Sequence, residues 1–190
     1  MNWSRVGAFA FALGLAAIAR PQDASDVWVS PSHPVATGGA PGMQVKLLSA
    51  NGKQKTYAVI FSKGDEAFSG LTDFAQKYNV TAAHFTAIGA LDGADLAWFD
   101  PARKMYKKIP VSGQVEVVSM IGDIALYKGK PAVHTHMVVA LPDGSTRGGH
   151  VLAAHVNPTL EVMMTVEPLA VHKRLDRETD LTLIDPELQE

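Results

Sequence analysis

The chain has 190 residues, a formal net charge of −2 at pH 7 and no cysteine. A nearly neutral chain lacks the basic surface with which proteins hold nucleic acid electrostatically, so direct nucleic-acid binding is not expected. Without cysteine it has no disulfide, no thiolate nucleophile and no cysteine-based zinc site. A hydrophobic content of 47% is ordinary for one globular domain with a buried core. Because the chain has no cysteine, any metal site must use histidines and carboxylates.

The first 19 residues have the pattern of a secretory signal peptide. Arg5 supplies a positive charge, residues 6–19 are an apolar run, and Ala17 and Ala19 end it with an A-x-A pattern. The run is shorter than the roughly 20 apolar residues that span a bilayer. We expect export with cleavage, giving a periplasmic or secreted protein that is not stably inserted in a membrane. An uncleaved N-terminal anchor is the alternative.

Residues 20–43 are predicted to be a flexible linker, because proline and glycine leave few stretches that could form a regular element. These are Pro21, Pro31, Pro34, Gly38, Gly39, Pro41 and Gly42. The domain itself is expected to occupy residues 44–185.

The domain begins with a predicted hairpin and then a helix. Residues 44–48 and 55–62 are predicted strands, and Asn51-Gly52 between them is a strong hairpin signal. A helix is predicted to open at residues 64–66 and to stop near Asn79. Its apolar residues recur at helical spacing: Phe68, Leu71, Phe74, Ala75 and Tyr78.

The rest of the chain predicts strands. They are residues 82–88, 94–99, 105–111, 115–121, 133–141, 147–155 and 160–166, with an edge strand near 181–184. Turns are predicted at Asp92-Gly93, at residues 100–103 and at residues 128–131. One helix followed by many, mostly antiparallel strands indicates an α+β fold, in which one or two helices flank one face or end of a sheet.

Three of the seven histidines fall within 17 residues, at His134, His136 and His150. His134 and His136 are two residues apart, which on a strand places both side chains on one face. His150 lies on the next predicted strand. Imidazoles arranged in this way on a β-ribbon commonly hold a divalent metal.

The turn between these strands decides whether the three side chains share a face. A two-residue Asp143-Gly144 turn would put His150 on the face opposite to His136. A three-residue loop would pair Leu141 with Ser145 and make His136 and His150 direct cross-strand neighbours. The second closure is favoured, because Pro142 suits the first central position of a type I turn and Gly144 suits the left-handed residue after it. A further bulge at Gly148-Gly149 would break this register.

On this register the histidine face is otherwise apolar, carrying Val138, Ala140, Leu152, Ala154 and Val156. Imidazoles on an apolar face are costly unless they are hydrogen-bonded or ligated. A metal or catalytic role is the favoured interpretation. The alternative is that the histidines are core residues hydrogen-bonded to backbone carbonyls and a carboxylate.

Candidate partners of the histidines are Glu116, Glu161 and His84. Each glutamate interrupts an apolar run, so either one would support the site only if it points inward. More often such a glutamate lies on the solvent face of a strand. His84 is isolated on its strand and is a candidate for lining the site. No serine has a convincing base, so nucleophilic catalysis has no support.

Several segments together resemble the plants-and-prokaryotes conserved (PPC) domain over residues 55–170. They include VEVVSMIGDI (115–124), GKPAVHTH (129–136), Asp143-Gly144 and GGHVL (148–152). Gly64-Asp65, AAHFTAIGAL (82–91) and TLEV (159–162) fit the same family.

The resemblance implies an antiparallel sheet with one or two helices, assembled as a homotrimer. In plant members the domain follows an AT-hook, which this chain lacks, so a nuclear DNA role is not carried over. Bacterial and archaeal members that share the H-x-H and G-G-H motifs look like metal binders. The matching positions here are His134, His136 and His150.

Three functions are therefore considered. The first is an exported homotrimer that binds a divalent metal, expected to be zinc, through three histidines, and uses it for small-ligand binding or metal-dependent chemistry. The second is a non-catalytic oligomerisation or protein-interaction module in which the histidines only pack. The third is a cupin-like metalloenzyme, a class that also uses H-x-H on a strand. That class expects a glutamate soon after the second histidine, whereas residues 137–141 are apolar.

Overall fold

The computed structural model describes residues 26–32, 35 and 37–189. Within these residues the chain forms nine strands and one α-helix. The strands are β1 (Trp28–Val29), β2 (Gln44–Asn51), β3 (Gln54–Ser62), β4 (Ala82–Asp100), β5 (Met105–Tyr127), β6 (Lys130–Ala140), β7 (Thr146–Val166), β8 (Lys173–Leu175) and β9 (Thr182–Ile184); the helix is α1 (Ala67–Lys77). The signal peptide predicted for residues 1–19 lies outside the described residues.

Seven strands form one antiparallel sheet in the order β1-β5-β4-β7-β3-β2, and β6 pairs with both β5 and β7. Because β4 also pairs with β5 and β7, strands β4 to β7 are connected in a closed ring of pairings. The remaining strands, β8 and β9, form a separate hairpin. The predicted α+β class with a mostly antiparallel sheet is confirmed, and the described residues contain one flanking helix.

The long central strands differ from the prediction. The predicted pairs of strands at 82–88 and 94–99, 105–111 and 115–121, and 147–155 and 160–166 are each one continuous strand. The turn expected at Asp92-Gly93 is wrong, because the chain passes through a register shift there and continues along β4. Gly93 has φ of +159°, which a glycine adopts readily, so a bulge bends the strand without ending it.

The core lies between one face of the sheet and α1, which packs against β6 and β7. Most of the predicted apolar face of the helix is buried, including Leu71 and Phe74, whereas Tyr78 is 39% exposed. The carboxylate of Glu66 caps the helix by accepting hydrogen bonds from the amides of Phe68 and Ser69. α1 is the helix of the described region, and it lacks the length and apolar character needed to cross a membrane.

The described part of residues 20–43, predicted to be a flexible linker, is attached to the domain. β1 pairs with β5. The amide of Gly39 donates to Ser69 at 2.9 Å, and that of Gly42 donates to the buried carboxylate of Asp65 at 2.8 Å. The physical reason is that backbone amides of an irregular segment can be satisfied by side chains at a helix start, even where proline and glycine prevent a regular element.

Candidate metal centre

The hairpin that carries the histidines closes as the three-residue loop predicts. The amide of Leu141 donates to the carbonyl of Ser145 at 2.8 Å, and Gly144 has φ of +79°. The resulting register pairs Ala140 with Thr146, Val138 with Gly148 and His136 with His150. No shift occurs at Gly148-Gly149 in the β6–β7 pairing, so His136 and His150 are direct cross-strand neighbours.

The three imidazoles form a compact cluster. Ring centroids are 5.1 Å apart for His134 and His136, 5.3 Å for His134 and His150, and 5.4 Å for His136 and His150. The Nε2 atoms of His134 and His136 are 3.2 Å apart. One nitrogen from each ring lies within 4.8 Å of the others. Two ligands of one tetrahedral zinc ion are about 3.3 Å apart, given Zn–N bonds of ~2.0–2.1 Å. The cluster therefore fits one ion after a small convergence of the rings.

The face on which the histidines lie differs from the prediction. The buried residues of β6 are Thr135, Met137 and Val139, so His134, His136 and Val138 point the other way. Val138 is 39% exposed. Ala154 and Val156 are buried in the core because a shift of the β4–β7 register at Leu152 changes the face on which β7 residues point. The cluster therefore sits on the exposed face of the sheet, where solvent and an ion can reach it.

The protonation state of His136, shifted towards the neutral ring, favours ligation. Partial burial lowers the pKa of this imidazole, and the neighbouring His134 lowers it further, while Asp123 opposes the shift. A depressed pKa favours the neutral ring, which is the form that binds a metal.

The carboxylate that contacts the cluster is Asp123 on β5, which the sequence analysis did not select. Asp123 lies opposite His134 in the β5–β6 pairing, and its Oδ2 is 3.1 Å from Nδ1 of His134. A carboxylate at this distance keeps the hydrogen on Nδ1, which leaves the lone pair of Nε2 directed towards the other histidines. This is the usual role of a residue that orients a metal-bound imidazole.

A register argument could have found Asp123. The two residues Lys128-Gly129 connect β5 to β6, and they pair Tyr127 with Lys130. Counting back from that pair sets Ile121 against His136 and Asp123 against His134. The signal for Asp123 is therefore present in the sequence of this two-residue turn.

Lys173 extends the arrangement beyond the carboxylate. Its Nζ is 2.8 Å from Oδ1 of Asp123, and the lysine is only 5% exposed. Burial alone would raise the pKa of Asp123, but the hydrogen bonds and charges of His134 and Lys173 outweigh it and hold the pKa below its ordinary value. Asp123 is therefore an anion placed between two potential cations.

Tyr106 supports the third histidine. Its ring stacks on that of His150, with centroids 4.6 Å apart and planes 13° apart. Tyr106 is buried, and this burial raises the pKa of its phenol. A neutral, rigid aromatic ring thus fixes one side of His150.

The predicted partners lie elsewhere on the sheet. His84 is on the exposed face opposite Asp123 in the β4–β5 pairing, but its Nδ1 is 3.5 Å from Glu167. Glu161 is exposed and pairs with Ile88, with β4 and β5 between it and the β6 histidines. Glu116 is exposed opposite Ala140, four residues along β6 from His136. The structure brings together the three predicted ligands and places these three residues outside the cluster.

The comparisons with known proteins agree with this architecture. The model of the Plants and Prokaryotes Conserved domain matches residues 48–167. A comparison with functionally curated proteins gives no match. A solved protein from Pyrococcus horikoshii, described as plant- and prokaryote-conserved, is 26% identical with a TM-score of 0.65, covering 77% of this chain and 97% of its own.

Two other solved structures share the fold. A candidate DNA-binding protein from Bacteroides thetaiotaomicron is 23% identical with a TM-score of 0.70, covering 77% of this chain and 99% of its own. A metal-containing protein from Archaeoglobus fulgidus is 23% identical with a TM-score of 0.63, covering 75% of this chain and 96% of its own. The matched family model spans more than half of the sequence, and the chain therefore belongs to the Plants and Prokaryotes Conserved domain family.

Proposed function

We propose that this protein binds a divalent metal ion, zinc in the first instance, through His134, His136 and His150. The observation that carries the proposal is the convergence of three ring nitrogens within 4.8 Å. Imidazole nitrogens suit zinc, and Asp123 already orients one of the rings as metal-bound histidines require. The metal-containing relative from Archaeoglobus fulgidus also supports metal binding.

Three protein ligands leave one coordination position of a tetrahedral ion for water or a small ligand. The histidine cluster lies on the exposed face of the sheet, so such a ligand has access to it. A bound zinc ion would polarise that ligand or lower the pKa of a bound water. Small-ligand binding is the function that this arrangement supports best, and any reaction would depend on the same open position.

Metal analysis of purified protein tests the proposal. We expect about one equivalent of zinc per chain, lost on chelation together with a fall in melting temperature. His134→Ala and His136→Ala should abolish both the metal and the effect of chelator. His84→Ala is the matched control, because His84 is exposed on the same face and contacts Glu167. Wild-type protein without metal, with a melting temperature unaffected by added zinc, would exclude the site.

We further propose that the protein is a homotrimer that associates through the exposed face of the sheet. Large apolar side chains cluster there instead of being buried. They are Ile88 (62% exposed), Val118 (55%), Ile121 (56%) and Met163 (49%). The β4–β5 and β4–β7 pairings place Ile121 and Met163 on either side of Thr86. Contiguous exposed apolar surface of this kind marks interaction sites.

The same apolar face favours the second function, a non-catalytic interaction module whose histidines only pack. Metal content and oligomeric state together distinguish the two functions. If metal-free protein and protein with all three histidines replaced by alanine both form the same oligomer, and neither wild type nor variant binds metal, the interaction module is the better description.

Direct nucleic-acid binding is not proposed, although the relative from Bacteroides thetaiotaomicron carries a DNA-binding description. The basic side chains around the β4–β5 turn are each ion-paired with an aspartate. These pairs are Arg103–Asp100, Lys104–Asp180, Lys107–Asp26 and Lys108–Asp95. Paired cations leave little net charge for phosphates. Fluorescence anisotropy with duplex DNA at low salt should show no binding, and salt-dependent binding would contradict this expectation.

Export to the periplasm or the medium is proposed from residues 1–19 alone. Cell fractionation and N-terminal sequencing of the mature protein test it. A mature chain that begins soon after Ala19 supports export with cleavage, and a chain that retains Met1 in the cytoplasmic fraction contradicts it.

A further inference from the structure

The C-terminal segment returns to the sheet beside the metal centre. Residues 168–189 follow the part of the chain that matches the family model. The amide of Leu126, near the end of β5, donates to the carbonyl of Val171 at 2.8 Å, and Leu126 forms a parallel bridge with His172. β8 begins at the next residue, Lys173.

Lys173 connects this segment to the histidine cluster through the carboxylate of Asp123. Oδ1 of Asp123 is 2.8 Å from Nζ of Lys173, and Oδ2 is 3.1 Å from Nδ1 of His134. The lysine side chain is 4% exposed. A buried ammonium is costly unless it is paired, so Lys173 and Asp123 hold each other in place. The carboxylate then has one oxygen fixed by the lysine and the other directed at the imidazole.

We propose that Lys173 is a positioning residue for the metal centre: it fixes the carboxylate of Asp123, which orients His134, so that docking of the C-terminal hairpin and binding of the metal stabilise each other. The inference rests on the proposed metal binding and extends it to a segment outside the family match. By reciprocity, whatever the docked hairpin adds to metal affinity, the metal adds to hairpin docking.

The neighbouring arginine provides a matched control on the same strand. Arg174 pairs with Asp185 at 3.1 Å, and its side chain is 72% exposed. Both substitutions, Lys173→Met and Arg174→Met, remove one cation and one ion pair from β8. Only the first removes a partner of Asp123.

Zinc affinity, measured by competition with a chelating indicator, is the first test. We expect Lys173→Met to weaken zinc binding about tenfold, at the lower end of the 10–100-fold effect typical of residues that support metal ligands. Arg174→Met should leave affinity within about twofold of wild type. Equal affinity of wild type and Lys173→Met, or equal losses in both variants, would overturn the role of Lys173.

A double-mutant cycle separates positioning from a general structural effect. If Lys173 acts through Asp123, then Lys173→Met should lower affinity no further in a chain that already carries Asp123→Asn. Additive losses would mean that the lysine acts by another route, and the proposal would fail.

Hydrogen exchange on the unaltered chain covers the case in which Lys173→Met does not fold. The amide of Val171 donates to the carbonyl of Thr81, the residue before β4, at 3.2 Å, so it reports on docking of the C-terminal segment. Saturating zinc should slow its exchange, while the β2–β3 hairpin should exchange as before. Unchanged exchange at Val171 in zinc-bound protein would refute the coupling. Failure of the wild type to bind zinc would instead refute the proposed function itself.

Discussion

Gly149 precedes His150 on β7, at a point where β7 and β4 approach each other closely. A Cβ atom at this position would come within 2.5 Å of the carbonyl oxygen of Ala97 on β4. Ala97 is also the β4 residue that pairs with His150. The backbone of β4 cannot move away as a flexible side chain could, so only glycine permits the spacing that holds His150 in the cluster.

We therefore predict that Gly149→Ala lowers the free energy of unfolding by about 1–3 kcal/mol, the usual cost of forcing extra atoms into packed structure. Zinc affinity should fall as well, because His150 shifts with the strand. Denaturant unfolding of metal-free protein and zinc competition measure the two effects.

Gly148 is the control for this substitution. A Cβ there would meet Cγ2 of Val138 at 3.2 Å and the carbonyl oxygen of Met137 at 3.3 Å, both longer than the 2.5 Å approach at Gly149, and Val138 is 39% exposed and able to give way. Gly148→Ala should change stability by about 0.5 kcal/mol or less. Equal costs at the two glycines would show that the approach of Ala97 is not what limits position 149.

Tyr106 is predicted to act on the metal centre through its ring and not through its hydroxyl. Its ring stacks on His150 at 4.6 Å. Aromatic pairs contribute ~0.5–1.5 kcal/mol beyond burial, so Tyr106→Leu should weaken zinc binding by about twofold to tenfold. Tyr106→Phe should retain wild-type affinity in the same titration. A loss as large in the phenylalanine variant would assign the effect to the phenol.

At the scale of elements, local patterns predicted turns and faces well wherever one hairpin decided the outcome. Pro142 and Gly144 were enough to predict that His136 faces His150. The hairpin alone could not show whether that face is buried or exposed. The bulge at Leu152 changes the face on which the later β7 side chains lie, and it arises from the pairing of β7 with β4. Alternation along a single strand cannot reveal a residue inserted opposite a different partner.

Long-range contacts explain the other features that the sequence did not predict. Asp123 could be placed by counting the Lys128-Gly129 turn, but Lys173 is 50 residues further along and reaches Asp123 only after the hairpin folds back. The turn expected at Asp92-Gly93 has suitable local chemistry. The paired strands β5 and β7 on either side instead keep the chain extended through it.

The start of α1 has a tertiary role that a helix cap alone would not suggest. Glu66 accepts hydrogen bonds from Phe68 and Ser69, and its Oε1 also accepts one from the amide of Ala154 on β7 at 2.8 Å. One carboxylate thus closes the helix and satisfies a strand amide beside the core.

We predict that Glu66→Ala lowers the free energy of unfolding by about 2–4 kcal/mol. A lost cap costs ~0.5–2 kcal/mol, and an unsatisfied buried amide adds ~1–3 kcal/mol. Urea unfolding measures the change. Asp73→Ala is the control, because Asp73 accepts only an exposed bond from Gly38 in the described structure, and it should cost about 0.5 kcal/mol or less.

For the whole molecule, the exposed face of the sheet joins the proposed interface to the histidine cluster. The cross-strand row on this face runs from Met163 through Thr86 and Ile121 to His136 and then His150. An apolar surface at one end of the row and three imidazoles at the other are therefore continuous. Subunits that bury the apolar end would border the metal centre without having to supply ligands to it.

Ile88 tests the proposed interface directly. Ile88 is 62% exposed and pairs with Glu161, so Ile88→Asp places two carboxylates side by side on the proposed interface. Like charges buried together oppose association strongly, and we expect the variant to be a monomer by light scattering, in contrast to the trimer proposed for the wild type. Leu169→Asp is the control, since Leu169 is 78% exposed and lies beyond β7, outside the sheet. Because Ile88 is not part of the histidine cluster, the monomer should still bind zinc. A trimer that persists with Ile88→Asp would mean that the subunits meet elsewhere, and loss of zinc together with the trimer would mean that the centre is completed across the interface.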